Sequence, residues 1–235
     1  MPNEVLALDL PGTGGTTDFG FLAGPAASPG AARLSRVDPL VGHVAGALTV
    51  ERQARALLAE RPRAPAVVVA YCAGATLAAH LAERAGARAV LVDPYPITTG
   101  VIHYELTKLC RTLGCEAPAY DEFAAGDIRQ WETVLNKTRD GLVRQYGGDE
   151  TAYEMVDGLL DRYRAWLRFL DASASAPTAA PAGALVIAVG PPPDLGALLT
   201  EPADAAVRPV DAAADPLGSP QVRALLSDAI DAAAT

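Results

Sequence analysis

Basic charge is scarce in this chain. Lys and Arg together number 19 against 28 Asp and Glu in 235 residues, giving a formal net charge of −9 and a pI near 4.8. A nucleic-acid face needs clustered cations to displace counterions, so that class of partner is excluded. Cysteine is also sparse: Cys72, Cys110 and Cys115 are an odd number in a long chain, which cannot complete a disulfide framework and reads as reduced thiols. No stretch reaches the ~18 consecutive apolar residues of a membrane span. The opening segment Met1 to Gly12 has neither the positive start nor the long apolar core of a signal sequence, so a cytoplasmic location is expected. Aromatic residues make up only 6%.

What is present is apolar and globular in balance. Half the residues are hydrophobic and a fifth are charged, which excludes disorder for most of the chain. The length suits one sizeable core, or a domain with a large insertion. Short, continuous runs of Val, Leu and Ala predict strands at Val5–Leu10, Arg33–Val37, Ala66–Tyr71, Ala87–Asp93, Leu185–Val189 and Ala206–Val210. Helical periodicity fills the intervals at Val50–Glu60, Ala73–Arg84, several helices from about Gly100 to Leu170, and Pro220–Ala233. Alternation of strand and helix predicts an α/β class: a doubly wound, mostly parallel sheet of about six strands. The reading is a single domain, 1–235, with a helical insertion at about 97–171 that holds most of the aromatics and both lysines. A linker rich in Ala, Ser, Pro and Thr follows at about 172–183.

The stretch most informative about chemistry runs from Val67 to Ala75, where a buried strand passes directly into a helix around Tyr71-Cys72-Ala73. A nucleophile elbow sits in such a place and needs small residues two before and two after the nucleophile, as Ala70 and Gly74 are. A thiol at a helix N-terminus is expected to have a lowered pKa, and the Ala73 N–H would supply half of an oxyanion hole. The alternative is that Cys72 is a small buried packing residue, the common fate of free cysteine. Cys110 and Cys115, spaced C-x4-C without a second ligand pair, match neither a zinc ribbon nor a redox C-x-x-C and read as packing residues. No metal site is expected. The glycine-rich loop Pro11 to Thr16 lacks the dinucleotide pattern and offers the Thr13 N–H as the other half of an oxyanion hole, or is an ordinary turn.

In the order of these elements the chain resembles the thioesterases of polyketide and nonribosomal-peptide synthesis. Those proteins open with a strand and a Pro-Gly-rich loop, place the nucleophile on the third comparable strand, and often end the next strand in an acid followed by Ser-Tyr-Pro. Here that segment reads Asp93-Pro94-Tyr95-Pro96. Cysteine at the elbow is similar to a rarer branch that includes Dieckmann-type cyclases and aminoacyl shuttles. The resemblance implies an α/β-hydrolase-like fold, a helical lid, Asp93 as triad acid (with Asp194 as the other candidate), and an acyl or peptidyl carrier protein as partner. It implies no cofactor, the substrate being carried on phosphopantetheine. It also implies substrate or carrier contacts at Tyr71, Tyr95, Trp166, Arg164 and Arg168. The two arginines would meet the acidic helix or phosphate of the carrier, or else simply pair with Asp157, Asp161 and Asp171 while the aromatics pack.

One departure stands out. The family takes its histidine from the loop after the last strand, and the loop from Val210 to Gly218 has none. Of the three histidines, His80 falls on the elbow helix, while His43 and His103 belong to segments emerging at the ligand-binding edge of a parallel sheet, and either can supply a base. The functions expected are carrier-dependent acyl transfer through Cys72, with release by cyclisation, transfer or hydrolysis, or an inactive thioesterase fold that binds a carrier or acyl chain.

Overall fold

A computed structural model describes residues 4–10, 19–23, 33–44, 46, 49–125, 130–176, 183–190, 205–211 and 215–234. The chain forms two compact units, one of Met1–Pro96 with Ala176–Thr235 and the other of Ile97–Ser175.

The first unit is a sheet with helices. Strands β1 (Glu4–Leu8), β2 (Arg33–Val37), β3 (Val67–Tyr71), β4 (Arg88–Val92), β5 (Leu185–Val189) and β6 (Ala206–Val210) pair in the order β2-β1-β3-β4-β5-β6. All five pairings are parallel. The doubly wound α/β expectation therefore holds, and β2, β5 and β6 have the expected bounds. The four inner strands are buried almost throughout, because helices shield their faces and no polar alternation is needed. The edges differ. β2 and β6 are largely open to solvent and carry Arg33, Arg36, Arg208 and Pro209, residues that blunt an exposed edge against further pairing.

Helices α1 (Val50–Ala59), α2 (Ala75–Ala85) and a C-terminal helix, Pro220–Ala234, complete this unit. α2 packs on β3 and β4 and against α1. One core cluster joins Val5, Val69, Val90 and Ile187 of the sheet to Val222 and Leu226 of the C-terminal helix. α1 starts where the Thr49 side chain accepts the Arg52 N–H, and α2 stops at Gly86, whose φ of 64° closes the helix.

The second unit is helical among its described residues. It comprises α3 (Thr99–Leu113), α4 (Tyr120–Ala125), α5 (Gln130–Gln145) and α6 (Glu150–Ala174); the C-terminal helix is α7. Thr98 caps α3 through the Val101 N–H, and Asp149 caps α6 through the Ala152 N–H. α6 outruns the expected start of the linker at 172. Ala172 and Ser173 lie on its buried side, and the chain leaves the helix only at Ser175. Residues 177–182 lie outside the described structure.

Two substitutions separate core packing from capping. Leu91→Ala, in the middle of β4 and fully buried, should cost about 2–5 kcal/mol. Thr98→Ala, which removes one cap bond of α3, should cost about 1 kcal/mol. Urea denaturation of both variants checks the ranking, and equal losses would contradict it.

Candidate active site

The carboxyl ends of β3 and β4 are neighbours, and each continues into an unusual backbone. Tyr71 ends β3, Cys72–Gly74 forms a 3-10 turn, and α2 begins at Ala75, two residues later than the expected helix start. Space at this turn is tight. A Cβ on Gly74 would stand 3.3 Å from the Ala70 Cβ and 3.8 Å from the Leu10 Cδ1, so positions 70 and 74 must both be small. Among the described residues only two non-glycines have positive φ, Cys72 at 59° and Asp93 at 46°. Asp93 also precedes Pro94, where extended backbone is the norm. Such conformations cost on the order of 1–3 kcal/mol each and persist where surrounding contacts hold them.

The contacts that hold Asp93 come from β5. Its N–H donates to the Ile187 carbonyl at 2.7 Å, and its carboxylate accepts the Val189 N–H. Burial nevertheless raises its pKa, and that hydrogen bond only partly opposes the shift. On the β3 side the Ala73 N–H and the hydroxyls of Tyr95 and Tyr71 all hydrogen-bond to the Cys72 sulfur. Those three bonds favour a thiolate, but burial and the negative charge of Asp93 outweigh them and push the thiol up to about 11. The lowered pKa expected from the helix dipole is thus corrected. The dipole is a local effect of the α2 start, and desolvation of a mostly buried sulfur is larger.

Four sequence-derived residues, Tyr71, Cys72, Asp93 and Tyr95, are therefore brought together with the Ala73 N–H. Tyr71 and Tyr95, expected as substrate contacts, place their hydroxyls on the sulfur instead. Tyr71 is itself pushed up to about 12, by burial first and then by the charges of Cys72, Asp93 and Asp215. Asp215 was not anticipated. It belongs to the loop after β6, where the resemblance asks for histidine, and its side chain accepts the Gly218 N–H at 3.2 Å. The signal available in the sequence was that Asp211 and Asp215 are the only ionisable groups in that loop.

Thr13 and Asp194 lie outside the described residues. His43 falls in the 3-10 turn Gly42–Val44, its side chain outside the description. His103, on α3, bonds through Nε2 to the Pro118 carbonyl at 2.8 Å and packs against Tyr120 and Phe123, so that nitrogen is occupied as a donor. Trp166 is buried, stacks on Phe169 and donates Nε1–H to Glu105 at 3.3 Å. Arg164 bonds to Asp161 at 2.6 Å and Asn136 at 3.0 Å, and Arg168 to Glu132 at 3.0 Å. Both arginines are paired within the helical unit, Arg164 with Asp161 of the acids anticipated as partners. No group of three or more His, Cys, Asp or Glu among the described residues can hold a metal ion.

A family model described as "Alpha/beta hydrolase family" matches residues 2–232. Among solved structures, the NocB thioesterase domain in covalent complex with a fluorophosphonate nocardicin G analog superposes with a TM-score of 0.54 at 17% identity, over 99% of this chain and 94% of that one. The RedJ thioesterase of the prodiginine pathway in Streptomyces coelicolor superposes with a TM-score of 0.50 at 15% identity, over 98% and 86%. At these identities the likeness is one of fold. No curated protein sequence matches.

A thiol held near 11 has roughly a 10⁻⁴ thiolate fraction at pH 7. Alkylation of Cys72 by iodoacetamide, followed by peptide mass spectrometry, should be slow at neutral pH and rise about tenfold per pH unit towards pH 10. Asp93→Asn should speed it at fixed pH, and Tyr95→Phe should slow it. A rate that levels off by about pH 8 refutes the burial account. The same shift enters stability. Because the folded pKa lies above the unfolded one, its contribution is fully present below the ordinary thiol range and is lost as pH rises through about 11.

Proposed function

The chain belongs to the alpha/beta hydrolase family, and from that premise we propose that it is an acyl-transfer enzyme of thioesterase type with Cys72 as its nucleophile. The observation that carries this reading is the coincidence of strain and chemistry: the two described non-glycine residues at positive φ are a thiol and a carboxylate at the ends of adjacent strands. Backbone strain of this kind clusters at active sites.

The substrate class is an acyl or peptidyl thioester on the phosphopantetheine arm of a carrier protein. Attack by the Cys72 sulfur on the thioester carbonyl requires its proton to leave. Asp93, whose carboxyl is raised by burial, accepts that proton in the role that histidine plays in the resembling thioesterases. The Tyr95 and Tyr71 hydroxyls hold the sulfur as charge grows on it, and the Ala73 N–H moves from sulfur to the oxyanion of the tetrahedral intermediate. Collapse passes that proton from Asp93 to the departing phosphopantetheine sulfur, which leaves as a thiol, and the acyl group stays on Cys72. Exchange of one thioester for another is nearly balanced in energy, so the acyl-enzyme waits for its next acceptor. An internal carbon nucleophile, as in Dieckmann cyclisation, or a second carrier thiol suits this site better than water. Hydrolysis in the resembling thioesterases draws on a late-loop histidine, and here that loop holds Asp211 and Asp215 in its place.

A second reading, a thioesterase fold that binds a carrier or acyl chain without turning it over, is favoured by the raised pKa of Cys72. Loading decides between them. Intact-protein mass spectrometry with an acyl N-acetylcysteamine thioester should show one covalent acyl group, absent in Cys72→Ala. Asp93→Asn should slow loading by roughly 100-fold or more while speeding iodoacetamide alkylation, a split that separates proton transfer from simple charge repulsion. Absence of an adduct across the pH range in which the fold is stable would leave the binding reading standing.

A further inference from the structure

The C-terminus of α3 contains a feature that the proposed acyl transfer does not use. Gly114 adopts a φ of 68°, and its N–H reaches the Arg111 and Cys110 carbonyls. The Cys115 N–H then returns to the Cys110 carbonyl at 2.9 Å. This is the left-handed helix stop in which the sixth residue folds back over the first, setting their side chains against each other. Here those two residues are both cysteines. As a linear C-x4-C spacing the pair is inert, but the turn at Gly114 makes the thiols neighbours, and they hydrogen-bond to one another.

Their surroundings differ. Cys110 is 1% exposed within the helical unit, whereas Cys115 is half-buried. Cys115 lines a cavity of about 860 Å³, together with Gly114, Glu116, Lys137 and Gly141. The cavity lets a small solute reach one thiol and not the other.

We propose that Cys110 and Cys115 form an oxidative modification site, in which a hydroperoxide entering the cavity reacts at Cys115 and the neighbouring Cys110 closes a disulfide. In the first step the Cys115 sulfur attacks the peroxide, the O–O bond breaks, and water or an alcohol leaves with the thiol proton, giving a sulfenic acid at Cys115. In the second step the Cys110 sulfur attacks that sulfur, the S–O bond breaks, and a second water departs with the Cys110 proton. Two thiols lose two electrons and the peroxide gains them. The division of labour follows from the site: burial and the adjacent Cys115 push the Cys110 thiol up to about 12, so it reacts only with a sulfur already made electrophilic beside it. The product ties the end of α3 to the segment whose Pro118 carbonyl holds His103.

The experiment uses the full chain with Cys72→Ala, so that only this pair carries thiols. After brief treatment with hydrogen peroxide, remaining thiols are alkylated under denaturing conditions and the protein is digested with trypsin. Cleavage at Arg111 separates the two cysteines, so a disulfide appears as the peptide Leu109 to Arg111 linked to the peptide that begins at Thr112. The linked species should form and should vanish on reduction. Adding Cys110→Ser should leave Cys115 trapped as a sulfenic acid that dimedone captures, and adding Cys115→Ser should leave Cys110 unreacted. Recovery of both cysteines in alkylated form overturns the proposal, and so does dimedone labelling of Cys110 that equals or exceeds that of Cys115.

Discussion

The close approach of β3 to the first turn of α2 is the constraint on which the rest of this site depends. With Ala70 and Gly74 nearly touching across the turn, the chain can pass from strand to helix only if the residue between them enters the left-handed region, and that residue is Cys72. The same crowding removes water from the sulfur. What makes Cys72 prominent in the backbone therefore also makes it a poor acid, and the three hydrogen bonds from Ala73, Tyr95 and Tyr71 soften the penalty without cancelling it. In the proposed acyl transfer, reactivity is conditional on a substrate arriving and on Asp93 accepting a proton. Such an arrangement protects the thiol from solution electrophiles while leaving it available to a bound carbonyl.

Much of this architecture was legible in the sequence because its determinants are local. Five-residue runs such as Val67–Tyr71 and Leu185–Val189, flanked by helical periodicity, read as strands buried on both faces. Cys72 was singled out by a strand running straight into a helix between two small residues, and Asp93 by the resemblance, which implies an acid at the end of the next strand. The errors lie where the determinant is remote. The helix-dipole argument for Cys72 counted its immediate neighbours, whereas burial and the charge of Asp93 arrive from other elements. Composition alone ended α6 too early, since the packing that keeps Ala172 and Ser173 helical is not written in their identities. The charge of Asp215 acts on the Tyr71 hydroxyl, a long-range influence that no spacing rule encodes.

Arginine in the helical unit gives a further case. Along its own helix Arg164 meets Asp161; across the α5–α6 pair Arg164 and Arg168 meet Asn136 and Glu132, and Arg139 meets Asp157 in a bidentate pair at 2.5 and 2.7 Å. The three rungs descend one helix as they climb the other, so they record a single antiparallel register. Exposed ion pairs add little stability individually. Together they tie α5 to α6 over at least two turns of each helix.

The sheet unit is discontinuous along the chain, and this has a consequence for synthesis. β4 ends at Val92 and its partner β5 begins at Leu185, so the ribosome must translate the whole of Ile97–Ser175 before the two can pair. At about 5–20 residues per second that interval lasts on the order of 5–20 s. Throughout it the nascent chain presents the unpaired edge of β4, and Asp93 lacks both the Ile187 carbonyl and the Val189 amide that later fix it. Asp93 is thus fixed late in biogenesis, long after Cys72 and its turn have been made.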